Sequence, residues 1–245
     1  MASRQPPEPR PAQLKVGGLT PFTSIDYPGK LSAVVFVQGC PWRCVYCHNP
    51  HLQRREGGDE GRSWPDVLGL LKRRVGLVDA VVFSGGEPTI DPQLGTAMAD
   101  VRALGFSVGL HTAGIYPRRL AEVLDRVDWI GFDVKAPLSE AALHDGIASV
   151  AGSSKAVAES LSMVLRSGVE LECRTTAHPG VLSEADLLVL AQQLAALGVR
   201  RYALQIARAV PGSPHRPEPT TAAYPSTDTL SGLQRAFAHF SVRRS

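Results

Sequence analysis

Ala33-Val34-Val35-Phe36-Val37-Gln38-Gly39-Cys40-Pro41-Trp42-Arg43-Cys44-Val45-Tyr46-Cys47-His48 is the stretch on which the reading of this chain turns. Its opening run is dominated by β-branched and aromatic residues, the composition of a buried strand. Three cysteines in a C-x3-C-x2-C spacing crowd at the end of that strand. A closed zinc site or an ordinary four-iron cluster takes four protein ligands, so three clustered thiolates leave one metal position open, and open positions mark catalysis more than scaffolding. Short spacings of this kind also serve zinc knuckles, and Cys44-x-x-Cys47 has the form of a redox pair. The fourth cysteine, Cys173, lies 126 residues beyond Cys47 in the apolar stretch Val169 to Cys173. It is available in principle to close a four-ligand zinc site, but a lone cysteine in a strand is usually a small core residue.

The cysteine loop, with the aromatic Tyr46 just before its third cysteine, resembles the signature of the radical S-adenosylmethionine (SAM) enzymes. That resemblance implies that Cys40, Cys44 and Cys47 hold three irons of a [4Fe-4S] cluster, whose fourth iron takes the amino and carboxylate groups of SAM. An electron from the cluster then splits the sulfonium. Tyr46 and His48 would line the cofactor by position.

The chain has 245 residues, 44% of them hydrophobic, enough to bury a substantial core in one domain. The net charge is +3, from 26 basic and 23 acidic residues, with no dense basic block. Nothing in this pattern calls for nucleic acid. No apolar run reaches the roughly 18 residues of a membrane span, and the N-terminus lacks the apolar core of a signal peptide. Four cysteines, three in one loop, fit a reducing compartment with metal chemistry. A cytoplasmic location is expected. Residues 1–14, rich in proline, read as a disordered tail, 15–210 as the working domain, and 211–245 as a proline-rich linker with a terminal segment.

Strand-like runs at Ala33 to Val37, Ala80 to Phe83, Phe106 to Leu110, Trp129 to Val134, Val169 to Thr175 and Tyr202 to Ile206 alternate with helical periodicity. The helical sets are Val67/Leu71/Val75, Leu94/Met98/Val101, Leu120/Val123/Leu124, Val157/Leu161/Leu165 and Leu187/Leu190/Ala191/Leu194, with Ser183 and Asp186 placed to cap the last. Regular βα alternation predicts a parallel sheet, because parallel neighbours need helical crossovers. An open doubly wound sheet and a partial (β/α)6 barrel both satisfy the periodicity, and the radical SAM resemblance favours the partial barrel. Either puts ligands at the C-terminal ends of the strands, where the cysteine loop lies.

Directly after the second of these strands comes Ser84-Gly85-Gly86-Glu87-Pro88. Read alone it is a turn, though paired glycines also let backbone approach a ligand and Glu87 can accept from an ammonium. It resembles the radical SAM motif that contacts the amino group of SAM, which implicates Gly85, Gly86 and Glu87. Asp133-Val134-Lys135 resembles the Asp-x-Lys of the glycyl-radical-enzyme activases, with both charged side chains on one side of the strand. Arg174 suits bidentate binding of a carboxylate, or is a surface residue beside buried Cys173. Gln205 is a weaker candidate. The segment Leu110-His111-Thr112-Ala113-Gly114 departs from the activases' Asp-Thr-Asn-Gly, whose aspartate helps to hold a monovalent cation, and a histidine is a poor ligand for a hard cation. A protonated His111 would supply positive charge in its place, and a structural hydrogen-bonding histidine is the other reading.

The entry Asp26-Tyr27-Pro28-Gly29 reads as a tight reversal. From Lys15 through about Gln205 the chain closely resembles activating proteins of anaerobic ribonucleoside-triphosphate reductase, and the segment from Asp26 through Asn49 narrows the match. The implied function is a radical SAM activase that generates a glycyl radical on that reductase. It would draw electrons from an external flavodoxin or ferredoxin, because the remaining cysteine cannot build a second four-cysteine cluster. The rival readings are another glycyl-radical enzyme as partner, a small-molecule radical SAM enzyme such as a deazapurine synthase, and a zinc-stabilised interaction module.

Overall fold

The computed structural model describes residues 13–55, 62–207 and 224–244. Eight strands form one sheet in chain order: β1 (Val16–Thr23), β2 (Ser32–Val37), β3 (Ala80–Gly85), β4 (Ser107–Thr112), β5 (Trp129–Asp133), β6 (Glu170–Ala177), β7 (Arg201–Ile206) and β8 (His239–Arg244). β1 runs antiparallel to β2, and every later neighbouring pair is parallel. The crossovers carry α1 (Trp64–Lys72), α2 (Leu94–Ala103), α3 (Pro117–Ala121), α4 (Ala141–Ala148) with α5 (Ser153–Ser167), α6 (Glu184–Ala196) and α7 (Thr227–Ala236). The six strands expected from the sequence are β2 through β7, and the architecture is the partial (β/α)6 barrel. β1 and β8 extend its two edges without pairing to each other.

Period-two alternation separates two unlike faces. Toward the helices point Val35, Val37, Val81, Phe83, Val108, Leu110, Ile130, Phe132 and Cys173, all buried in the main core. The inner face begins with a small apolar layer of Val34, Val82 and Trp129, closed by Tyr27, whose ring stacks on Trp129 at 4.8 Å. The Asp26–Gly29 turn is thus more than a reversal, since it sends Tyr27 into the barrel as its floor. Above that layer the register lines up polar residues: His111 opposite Gly131, Asp133 opposite Arg174, and Gln205 opposite Arg243. Gly131 makes this layer possible, because a Cβ there would lie 2.8 Å from the Arg174 guanidinium carbon and 2.9 Å from the His111 ring.

Several expected boundaries move. Leu14, assigned to the N-terminal tail, is buried in the main core, while 1–12 lie outside the described residues. The C-terminal segment set apart from the domain is part of it, because α7 packs on α6 and β8 pairs with β7; 208–223 lie outside the described residues. The helix expected through Val75 stops at Lys72, leaving Val75 exposed in the turn before β3. The Leu120 to Leu124 periodicity splits into the short α3 and a 3-10 turn at Leu124–Arg126. The cap at Ser183 forms as expected, with reciprocal bonds between Ser183 and Asp186.

Candidate active site

The cysteine loop leaves β2 through Gln38 and is held at both ends. At its base Gly39 N donates to Leu52 O (2.8 Å) and Cys40 N to Gln53 O (3.0 Å), closing the excursion that contains all three cysteines. Arg55 locks this base by bonding Gln38 O and pairing at 3.1 Å with Asp91, whose side chain is fully buried. The far rim rests on the C-terminal turn of α4. Arg43 N donates to Ala148 O, Val45 N to Ile147 O, and the Ser149 hydroxyl to Arg43 O. Ser149 holds this position at φ 57°, a left-handed conformation uncommon for a residue other than glycine.

Cys40, Cys44 and Cys47 are free and half-buried along this loop, whereas Cys173 is fully buried on the helix side of β6. The donor set is therefore three thiols with no fourth beside them, which suits a cluster that keeps one iron for a ligand outside the protein. Among the described residues no three His, Cys, Asp or Glu side chains gather on a point that would hold one ion. A cluster asks instead for spread thiolates, one to each iron. Burial pushes the Cys40 thiol up to about 12 and raises Cys44 as well, with Lys135 the main influence favouring a Cys44 thiolate. Loading metal onto these cysteines therefore releases protons.

The Gly-Gly-Glu segment is built against this loop. A Cβ on Gly85 would meet Val37 backbone at 2.6 Å, and one on Gly86 would meet Gly39 O at 2.2 Å, so only glycine lets the end of β3 lie on the start of the cysteine loop. Gly86 N donates to Val37 O and Glu87 N to Gly39 O. Glu87 is 1% exposed and accepts four hydrogen bonds, from Thr89 N, the Thr89 and Thr112 hydroxyls, and Ala113 N. Burial raises its carboxyl, and these donors oppose the rise. The carboxylate thus ties the end of β3 to the end of β4, a duty not visible in the motif itself.

On the inner face Asp133 joins two cations, Arg174 Nε at 2.9 Å and Lys135 Nζ at 3.3 Å. Burial would raise the Asp133 carboxyl, but Arg174 and then Lys135 overcome it and hold it down to about 2. Burial acts against the charge on Lys135 too, and Asp133 overcomes it, so the lysine stays protonated. Its ammonium lies 5.9 Å from the centre of the Tyr46 ring, which brings the Asp-x-Lys pair to the cysteine loop. Tyr46 is buried, and its hydroxyl has no hydrogen-bond partner among the described residues. His48 is half-buried at the loop's outer turn. Arg174 is buried and faces inward, away from Cys173, which removes the reading of it as a surface residue. Gln205 lies on the same face, two strands from Asp133.

His111 is not a cation. Its Nε2 lies 2.9 Å from the Asp26 carbonyl, which only accepts, so Nε2 carries a proton, and in the neutral ring that burial favours Nδ1 accepts from the Ser84 hydroxyl at 3.1 Å. Burial and the nearby Arg174 push the ring down to about 3. The expectation that a protonated His111 supplies positive charge is overturned, and the hydrogen-bonding reading holds. Sequence reasoning missed Asp91, Thr112 and Glu172, the last paired with Arg243 of β8 at 2.7 Å. Their partners are far away in the chain, so no local spacing signals them.

The model of the radical SAM superfamily matches residues 34–194, more than half of the chain and the span that holds the cysteine loop, the Gly-Gly-Glu segment and the Asp133 cluster. The chain belongs to the radical SAM superfamily. The family works with a [4Fe-4S] cluster and SAM, and this radical SAM chain is an enzyme of that class. Over 182 residues it is 30% identical to a Methanocaldococcus jannaschii protein that bears the name of a glycyl-radical enzyme activating enzyme, covering 70% of this chain and 72% of that one. It is 35% identical over 119 residues to the pyruvate formate-lyase-activating enzyme of Clostridium pasteurianum, covering 45% of this chain and 48% of that one. Among solved structures, Streptococcus suis SuiB superposes with a TM-score of 0.68 at 13% identity, covering 84% of this chain and 47% of SuiB. Escherichia coli QueE superposes at 0.56 with 17% identity and 95% of each chain covered. At these identities the structural matches report the shared fold. Among the described residues no helix is long and apolar enough to cross a membrane.

Proposed function

We propose that this chain is a glycyl-radical-enzyme activase, and that its partner is an anaerobic ribonucleoside-triphosphate reductase. The observation that carries the reading is the junction of the cysteine loop with the Gly-Gly-Glu segment at one end of the barrel, in a chain similar over most of its length to a protein named for that activity. The resemblance of Asp26 to Asn49 to the reductase-activating proteins supports the finer assignment.

When bound, the cluster and SAM supply one-electron reduction and a group able to take a hydrogen atom from glycine. The chain's own residues prepare for that chemistry. Cys40, Cys44 and Cys47 would hold the cluster, and Gly85 and Gly86 keep neighbouring backbone close enough for a ligand to touch both segments. Glu87 fixes the edge of that cradle, with Oε2 accepting from Ala113 alone. Lys135 and Arg174, held by Asp133, present fixed positive charge to the carboxylate end of SAM or to a peptide carbonyl. Tyr27 and Trp129 close the floor against water, and the unpaired side between β1 and β8 is the route for a partner's glycine loop. An external flavodoxin or ferredoxin would deliver the electron near the half-buried loop.

The test is electron paramagnetic resonance of the candidate reductase after anaerobic incubation with this protein, SAM and reduced flavodoxin. The doublet of a glycyl radical is expected. SAM cleavage with no radical on the reductase or on any other glycyl-radical enzyme of the same cell overturns the reading and favours a small-molecule substrate.

A further inference from the structure

A chain of hydrogen bonds beneath the cysteine loop ends on a buried nitrogen that nothing in the site described above uses. His144 of α4 is fully buried, with its ring 5.8 Å from that of Trp42, the residue between Cys40 and Cys44. Nδ1 lies 2.7 Å from Ser153 Oγ, and that hydroxyl lies 2.7 Å from Asp145 Oδ1. Ser153 has one proton, which points at the carboxylate, so Nδ1–H donates to Ser153 and Nε2 is left as a bare acceptor. Nε2 has no hydrogen-bond partner among the described residues. A buried polar atom without a partner costs about 1–3 kcal/mol, and such atoms in native proteins call for an explanation.

Backbone hydrogen bonds tie the helix that carries this nitrogen to the cysteine loop. The turn that carries His144 ends in the two carbonyls, Ile147 O and Ala148 O, that receive Val45 N and Arg43 N. The Asp145–Ser153–His144 chain can reverse its polarity without taking up a proton. Asp145 keeps Gly152 N and Ser153 N as donors if the serine hydroxyl turns away to donate to Nδ1, and the ring proton then resides on Nε2.

We propose that His144 is a positioning residue of the cofactor, its Nε2–H donating to a sulfur of the cluster or of Cys44 and so setting the cluster's reduction potential. The inference rests on the cysteine loop holding a cluster and is independent of which partner is activated. A hydrogen bond to sulfur favours the reduced, more negative cluster, so removing it lowers the potential.

The experiment measures the midpoint potential of the reconstituted cluster, without SAM, in the unmodified protein, His144→Phe and His144→Gln. His144→Phe is expected to lower the reduced-to-oxidised ratio at fixed potential about tenfold, about 59 mV for one electron. His144→Gln, which keeps an N–H donor, is expected to stay close to the unmodified value. Equal shifts in the two variants, or no shift in His144→Phe, overturn the proposal. If His144→Phe fails to load iron, pulsed electron paramagnetic resonance of the unmodified protein carrying 15N-histidine decides. A weak histidine 15N coupling that disappears in His144→Gln supports the bond, and its absence from the unmodified protein or persistence in the variant overturns it. Failure of the unmodified chain to load iron refutes the cluster reading itself, whereas a loaded chain with an unresponsive potential refutes only the role of His144.

Discussion

The Thr112 hydroxyl donates to Glu87 Oε1 at 2.7 Å, joining the ends of β4 and β3 across 25 residues of sequence. Glu87 is therefore both a candidate ligand group and a buried strut. Glu87→Ala would orphan Thr89 N and Ala113 N, and the expected loss of stability is on the order of 3 kcal/mol. SAM cleavage should weaken in the same variant while the iron content of loaded protein is preserved. Thermal denaturation beside iron analysis checks both effects. Unchanged stability together with unchanged SAM turnover would return the segment to a plain turn.

Asp133 balances two cations, and removing it leaves Arg174 and Lys135 facing each other uncompensated. Asp133→Asn is expected to cost about 3 kcal/mol, the low end for breaking a buried pair because the aspartate side chain is still 28% exposed. Its folded carboxyl, held down to about 2, lies below the ordinary value of 3.8. Its stabilisation is therefore present above about pH 4 and lost as pH falls toward 2. Urea unfolding across that range should show a slope in the unmodified protein that Asp133→Asn lacks.

The same two residues show how far the chain could be read in advance. Asp133 and Lys135 were legible because period-two alternation puts them on one face, and the cysteine loop because its spacing is a chemical statement. β1 was hidden by its own composition. Gly17, Gly18 and Pro21 are residue types depleted from strands, and an antiparallel edge strand with register shifts is where a sheet tolerates them. β8 carried a usable signal, Phe240 and Val242 alternating with Ser241 and Arg243, but lay beyond a proline-rich stretch that suggested the domain had ended. Pairs such as Glu172 with Arg243, and Arg55 with Asp91, depend on which strands and loops become neighbours, which no local window contains.

His111 gives a prediction of the opposite sign to a cation site. Its ring is neutral in the fold, pushed down to about 3 from an ordinary 6.5, so the unfolded chain binds the extra proton first. Stability should fall as pH drops from about 6.5 toward 3, by on the order of 2 kcal/mol, since a half-buried ring realises only part of the full linkage. His111→Phe should flatten that limb of the urea midpoint curve. With both ring nitrogens engaged and no carboxylate at this position, SAM cleavage is expected to be indifferent to sodium or potassium. A strong dependence on either cation would contradict this assignment.

Cys173 faces the helices from β6, opposite in direction to Arg174 beside it, and is 0% exposed. A ligand would have to pass through the sheet to reach it. Anaerobic reconstitution is therefore expected to give about four irons per chain, retained in Cys173→Ala and lost when Cys40, Cys44 or Cys47 is replaced by alanine. A full cluster in Cys44→Ala would refute the ligand assignment. Because the cysteine loop uses three of the four cysteines, this chain cannot supply four cysteine ligands for a second cluster. The proposed external donor is tested by titration: SAM turnover by the loaded protein is expected to rise with the concentration of a reduced flavodoxin or ferredoxin until it saturates. Cleavage of more than one SAM per cluster, by protein reduced beforehand and then given SAM with no donor present, would overturn the proposal of an external donor.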